Sequence, residues 1–172
     1  MTWVLPGLAG VSHSRAIAAT LLLALGACAA PGPRPIAYDS DGCSYCRMTI
    51  SDRRYGAELV TAKGRVHTFD SIECLVSFYL ASREAGEVAS VWVSDYSRPG
   101  TLVAAERAVF ARGGDRHSPM GLGLAAFGEA ADTAAIRAEF GGGTLRWTEV
   151  LALVERNGIP TGAEPGSSHA AN

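Results

Sequence analysis

Two thiols and a thioether stand within six residues in Cys43-Ser-Tyr-Cys46-Arg-Met48, and Met48 is one of only two methionines beyond the initiator. Soft sulfur donors of this kind select Cu(I) over harder cations. Cys43 and Cys46 are three apart, a spacing that brings both sulfurs to one ion when the backbone turns in a knuckle, and Asp41-Gly42 just before them supplies turn chemistry. Cys46 and Met48 are two apart, so in an extended stretch their side chains leave on one face. The long, flexible methionine then reaches back toward the metal. A neutral thioether tempers the charge that two or three thiolates build up, which suits a site that releases its metal.

Met120 is the other candidate sulfur ligand. It lies in Ser118-Pro119-Met120-Gly121, a polar, turn-prone setting where a core methionine is less expected. His67 and His117 are nitrogen alternatives, and Asp70 reads as a helix cap. Two other chemistries compete with copper. A zinc knuckle needs two further ligands, and His67 with Cys74 could supply them as a Cys3His site, leaving Met48 to packing. A thiol-disulfide oxidoreductase needs a helix starting directly after the first cysteine, and Thr49-Ile50-Ser51 carries no helical pattern, so thiol exchange fits least well. A plain Cys43–Cys46 disulfide is a further alternative in oxidised protein.

The chain opens with one basic residue, Arg15, and an apolar run, Ala16 to Leu25, far shorter than the roughly 20 residues a membrane span needs. Residues 1–27 therefore read as a signal peptide. Leu25-Gly26-Ala27-Cys28 resembles the bacterial lipobox, which predicts lipidation of Cys28; the alternative is ordinary secretory cleavage that leaves Cys28 a free thiol. Ala29 after the lipidated cysteine favours sorting to the outer membrane, on its periplasmic side. Residues 28–40, with Pro31, Pro33 and Pro35, form a stiff tether. With Cys28 lipidated, Cys43, Cys46 and Cys74 remain. An odd number of thiols in an oxidising compartment argues for a use beyond disulfides. The net charge of the full chain is −2 and removal of 1–27 takes away only one charged residue, a basic one, so no nucleic-acid partner is implied.

Positioning these donors falls to a mixed, α+β fold. Ala57 to Thr61 and Arg65 to Phe69 flank Lys63-Gly64 and predict a hairpin. Asp70, with Glu73 three positions on, then predicts the start of a helix whose apolar face is Ile72, Leu75, Val76, Tyr79 and Leu80. Val88 to Tyr96 reads as a strand returning to that sheet, closed by Arg98-Pro99-Gly100. Beyond it, strands are expected near Thr101–Ala104, Ala108–Arg112 and Leu122–Phe127, a helix over Asp132–Phe140 stopped by Gly141 to Gly143, a short strand at Thr144–Arg146 and a helix over Trp147–Arg156. Both halves have the rhythm hairpin, helix, strand. The expected layout is two similar small β-β-α-β modules packed together, 41–98 and 99–156, with a disordered tail at 157–172.

The chain resembles the NosL family, lipoprotein accessory factors of nitrous oxide reductase assembly. The likeness is carried by Leu25-Gly26-Ala27-Cys28, by Cys43-Ser-Tyr-Cys46-Arg-Met48, by Phe69-Asp70-Ser71-Ile72-Glu73-Cys74, by Ser118-Pro119-Met120-Gly121 with Leu124-Ala125-Ala126-Phe127, and by Leu145-Arg146-Trp147-Thr148-Glu149-Val150. The resemblance implies a periplasmic, lipid-anchored Cu(I) metallochaperone, not an enzyme. It implies delivery of copper to nitrous oxide reductase for its copper-sulfide centre, and contact with the membrane transporter complex of that maturation system. By this resemblance Cys46 and Met48 take the positions expected to bind copper, with Cys43 either assisting or replaceable and Met120 as a further ligand. Whether two chains share one metal, as a homodimer, stays open.

Overall fold

The computed structural model describes residues 1–2, 32–84, 88–113 and 117–159. The expected leader, Cys28 and the tail from residue 160 onward lie outside the described residues. Among those described, no helix is long and apolar enough to cross a membrane.

Strands β1 (Ala57–Thr61) and β2 (Val66–Phe69) pair as the expected antiparallel hairpin. Gly64 takes φ 79° in its turn, a conformation glycine adopts without steric cost, and its N–H donates to Thr61 O at 2.9 Å. Helix α1 (Ile72–Glu84) follows, and β3 (Val88–Ser94) returns along the free side of β1. The first sheet has the order β2-β1-β3-β4, with β4 (Leu102–Ala104) antiparallel to β3. The apolar stretch at 101–104 thus adds to the first sheet, although the sequence rhythm had grouped it with the second half. β3 stops at Ser94, earlier than the alternation suggests, because Asp95 turns the chain. Its carboxylate accepts from Ser97 N–H at 3.0 Å and from the Arg98 guanidinium at 2.9 Å.

After a 3-10 turn at Ala105–Arg107 come β5 (Val109–Arg112), β6 (Leu124–Phe127), α2 (Thr133–Phe140), β7 (Thr144–Leu145) and α3 (Trp147–Asn157). The second sheet is antiparallel in the order β6-β5-β7, and a parallel bridge between Asp95 and Ala126 joins it to the first. Asp132 caps α2, its Oδ1 accepting from Ala134 N–H at 2.8 Å, and Gly141 ends the helix in the left-handed region at φ 70°. The fold is a mixed α/β one with two small antiparallel sheets.

The strand period of two decides where each side chain goes. On β5 and β6, Val109, Ala111, Ala125 and Phe127 face α2 and join Tyr55, Ile136 and Phe140 in one apolar cluster. Phe110, Leu124 and Ala126 point the other way, into the main core with Leu59, Phe69, Leu75, Val76 and Val93. α3 adds Trp147, Val150, Leu151 and Val154, spaced for one helical face. Cys43 and Cys74 are members of this main core, and Cys46 and Met120 pack on it half-buried. Cys43, Cys46, Cys74 and Met120 are thus all anchored in or on the main core.

Candidate metal centre

The segment 39–50 folds back on itself. Asp39 N–H donates to Ile50 O at 2.8 Å, Ile50 N–H to Asp41 O at 2.9 Å, and Cys43 N–H to Met48 O at 2.8 Å. Inside this frame Arg47 N–H reaches Cys43 O at 3.1 Å, and Arg47 itself adopts φ 69°, a strained left-handed conformation for a non-glycine residue. The result is a knuckle. An extended Cys46–Met48 stretch was expected, and the left-handed Arg47 replaces it, so these two side chains are not related by simple strand alternation. Two bonds seat the knuckle on the exit of β2: Ser44 N–H donates to Thr68 O at 2.8 Å, and Thr68 Oγ1 to Gly42 O at 3.2 Å.

At that exit Asp70 and Ser71 divide the work differently from the sequence expectation. Ser71 caps α1, its Oγ accepting from Cys74 N–H at 3.2 Å. The helix starts one residue later than expected, and Asp70 is released from the cap. Its Oδ2 instead accepts from the Cys46 thiol at 3.3 Å, while its buried Oδ1 has no hydrogen-bond partner. On the first turn of α1, Cys74 faces the knuckle. The ligating atoms of Cys43, Cys46, Asp70 and Cys74 all lie within 4.8 Å of one another.

Burial grades the three thiols. Cys74 is fully buried, Cys43 nearly so, and Cys46 reaches the surface. Cys43 is held down to about 6, chiefly because the Cys74 thiol donates to its sulfur, against an opposing cost of burial; backbone N–H groups of Asp70, Cys46 and Tyr45 add to the same effect. Cys74, as that donor and as a buried group, is pushed up and keeps its proton. Cys46 is raised to about 12, first by desolvation and then by the neighbouring Cys43 thiolate. One sulfur is thus prepared as an anion, chiefly by the Cys74 thiol and further by backbone N–H groups, and two hold protons that a metal would displace.

The other expected donors are distributed as follows. Met48 is 55% exposed on the knuckle, beside Tyr45 at 47%. Met120 is half-buried against the main core. His117 is exposed, and neither it nor His67 belongs to the group of four; the His67 ring lies 4.7 Å from that of Phe78. Asp70 stands where the zinc alternative had placed His67. Cys74 had entered only that alternative, and Asp70 had been read as a cap. The odd count of cysteines was the signal that pointed to Cys74; for Asp70 the signal was the second capping residue, Ser71, immediately after it.

The sequence model of the NosL family matches residues 35–153. The chain belongs to the NosL family. The matched span contains the knuckle, Asp70, Cys74 and Met120. Among solved structures, the crystal structure of the copper chaperone NosL from Shewanella denitrificans is similar, with 27% identity and a TM-score of 0.55 over 68% of this chain and 96% of that one. No match is found among curated proteins.

Proposed function

We propose that this NosL-family chain is a metallochaperone that binds Cu(I) at the knuckle, lipid-anchored through Cys28 on the periplasmic side of the outer membrane, and that it is not an enzyme. The carrying observation is the convergence of three thiols and Asp70 within 4.8 Å, with one sulfur, Cys46, half-exposed at the rim. Three sulfurs suit a soft monovalent ion. The named likeness to a copper chaperone supports the same reading. Met48, exposed on the same knuckle, and Met120, packed on the same core, are the thioethers that complete the set. The acceptor is nitrous oxide reductase during assembly of its copper-sulfide centre, with the maturation transporter complex as the second partner. The order β-β-α-β, repeated in both sheets with the first strand central, supports a duplicated module.

Transfer follows from the gradient of burial. Cys43 and Cys74 have almost no surface, so an incoming sulfur or imidazole ligand meets the ion at Met48 and Cys46. Met48 lets go as the new ligand binds, and Cys46, the last thiol on the way out, leaves last. Relative affinities of donor and acceptor set the direction. Thiol-disulfide exchange is disfavoured by the same geometry, because the accessible thiol is the one pushed up to about 12, whereas an attacking cysteine must be both accessible and ionised.

A structural zinc staple has one specific observation in its favour, the four-donor group Cys43, Cys46, Cys74 and Asp70. Anaerobic titration against a competing Cu(I) chelator separates the two. Native protein is expected to prefer Cu(I) to Zn(II), with Cys46→Ala and Met48→Ala each weakening Cu(I) binding. Preference for Zn(II), or a Cys46→Ala protein that holds Cu(I) as well as native, refutes the proposal.

A further inference from the structure

Glu73 is fully buried on the first turn of α1, directly before Cys74. Its Oε1 accepts from the Ser118 hydroxyl and from Leu122 N–H at 3.2 Å, and Ser118 Oγ in turn accepts from Gly123 N–H at 2.9 Å. Between these anchors Gly121 N–H closes a turn onto Ser118 O at 2.9 Å, with Gly121 in the left-handed region at φ 83°. One carboxylate oxygen therefore gathers both ends of the segment 118–123, and Met120 rides on its tip. The same clasp explains why β6 starts at Leu124 when its apolar pattern begins at Leu122. Met120 packs half-buried on the main apolar core, of which Cys43 and Cys74 are members.

The second oxygen, Oε2, is buried with no hydrogen-bond partner. Burying a carboxylate with one oxygen unpaired is costly, so packing alone does not account for an acid at this position. What the carboxylate contributes, and a leucine cannot, is a fixed attachment for the turn.

We propose that Glu73 is a positioning residue for the metal centre: by clasping the turn at Ser118, Leu122 and Gly123 it holds Met120 at the sulfur cluster, so that the hairpin of the second sheet supplies a donor alongside the knuckle and α1. The inference rests on the Cu(I) reading above and assigns to Glu73 the task of completing the coordination sphere. Metal-binding side chains depend on such supporting contacts, whose loss typically weakens affinity about 10- to 100-fold.

The test is an anaerobic Cu(I) competition titration of native protein, Glu73→Leu, Glu73→Gln, Met120→Leu and the Glu73→Leu/Met120→Leu double variant, with a melting curve for each. Glu73→Leu leaves the Ser118 hydroxyl and Leu122 N–H without their acceptor, so it is expected to melt lower than native and to bind Cu(I) roughly 10- to 100-fold more weakly. Glu73→Gln, which keeps a carbonyl oxygen for Ser118 and Leu122, stays close to native. The double variant is no weaker than Met120→Leu alone, because both changes remove the same donor, and copper X-ray absorption counts one sulfur fewer in each of the two single leucine variants. Native affinity in Glu73→Leu, or losses that add in the double variant, overturns the proposal. Should Glu73→Leu fail to fold, Ser118→Ala decides: it cuts the clasp from the other side, and an unchanged Cu(I) affinity there overturns the proposal equally. A native protein that takes up no Cu(I) refutes the Cu(I) reading itself, an outcome told apart by the unmutated arm.

Discussion

Glu58 offers a sharp test of how the segment leading into the knuckle is held. It sits in the middle of β1, opposite Thr68 on β2 and Trp92 on β3, and is fully buried. Its Oε2 accepts from Arg34 N–H at 3.0 Å, while Oε1 has no partner. The Arg34 guanidinium bonds Asp41 at 2.8 Å, and its charge only partly offsets the burial of Glu58. Burial therefore pushes Glu58 up from 4.5 to about 7. The folded protein binds this proton more tightly than the unfolded chain does, so the contribution to stability is complete below the unfolded value. It is lost as pH rises toward about 7. At about 1.4 kcal/mol for each pH unit between the two values, the loss is roughly 3 kcal/mol. Glu58→Gln removes the titration and keeps the acceptor for Arg34. Urea unfolding of both proteins is expected to show the variant gaining on native by roughly 3 kcal/mol between about pH 4 and about pH 8, a relative midpoint change of about 1 to 3 M for ordinary urea slopes. Taking the difference cancels the groups common to both. A gap that does not change with pH refutes the argument, and with it the idea that a buried acid pins the segment 34–41 to the sheet.

Two further outcomes are expected. Stripping metal with chelators should leave a cooperative melt and native far-UV circular dichroism, because the cysteines sit on an apolar core that needs no ion to form; loading then stabilises the fold by mass action, by about 2.7 kcal/mol at a hundredfold excess of free metal over Kd, and so raises the melting temperature. Collapse of the fold on chelation would instead establish a zinc staple. Ser71→Ala should cost about 1 kcal/mol in unfolding free energy through loss of the α1 cap, whereas Asp70→Asn should leave the helix start intact and act on Cu(I) affinity; the reverse pattern in urea unfolding would return the cap to Asp70.

Local patterns made most of the elements legible. Lys63-Gly64 between two β-rich runs, the apolar spacing over 72–80 and Asp132 before 133–140 each state their structure within a few residues: the hairpin and α2 stand where they were expected, and α1 starts one residue later. The knuckle was equally local, written in Asp41-Gly42 and the cysteine spacing. What stayed hidden was set by contacts across the chain or by a shift of one residue. Asp70 and Ser71 are both good caps by type, and only the extent of β2, which runs to Phe69, assigns the cap to Ser71 and frees Asp70 for the site. Cys74 joins Cys43 because β2 delivers α1 over the knuckle, a relation between residues 31 positions apart that no periodicity encodes. Pairing of 102–104 with β3 was hidden for the same reason: a three-residue apolar run does not say which sheet it extends.

The arrangement of the thiols also bears on how one site can both hold and yield an ion. A carrier whose donors were all exposed would lose its cargo to any thiol in solution, and one whose donors were all buried would have no route for an acceptor to approach. Here the two requirements fall on different residues. Cys43, anchored by backbone N–H groups and by the Cys74 thiol, and Cys74, on the rigid first turn of α1, lie in the packed core and cannot follow a departing ion. Cys46 is half-exposed, and its raised proton affinity means that a proton competes with metal for it. In the proposed transfer, reprotonation of Cys46, which already lies within hydrogen-bond reach of Asp70 at 3.3 Å, would close the site behind the leaving ion. Under the proposed transfer, exchange would take place at the face where Tyr45 and Met48 also stand exposed, which would tie release to docking at that face rather than to chance encounter with small thiols.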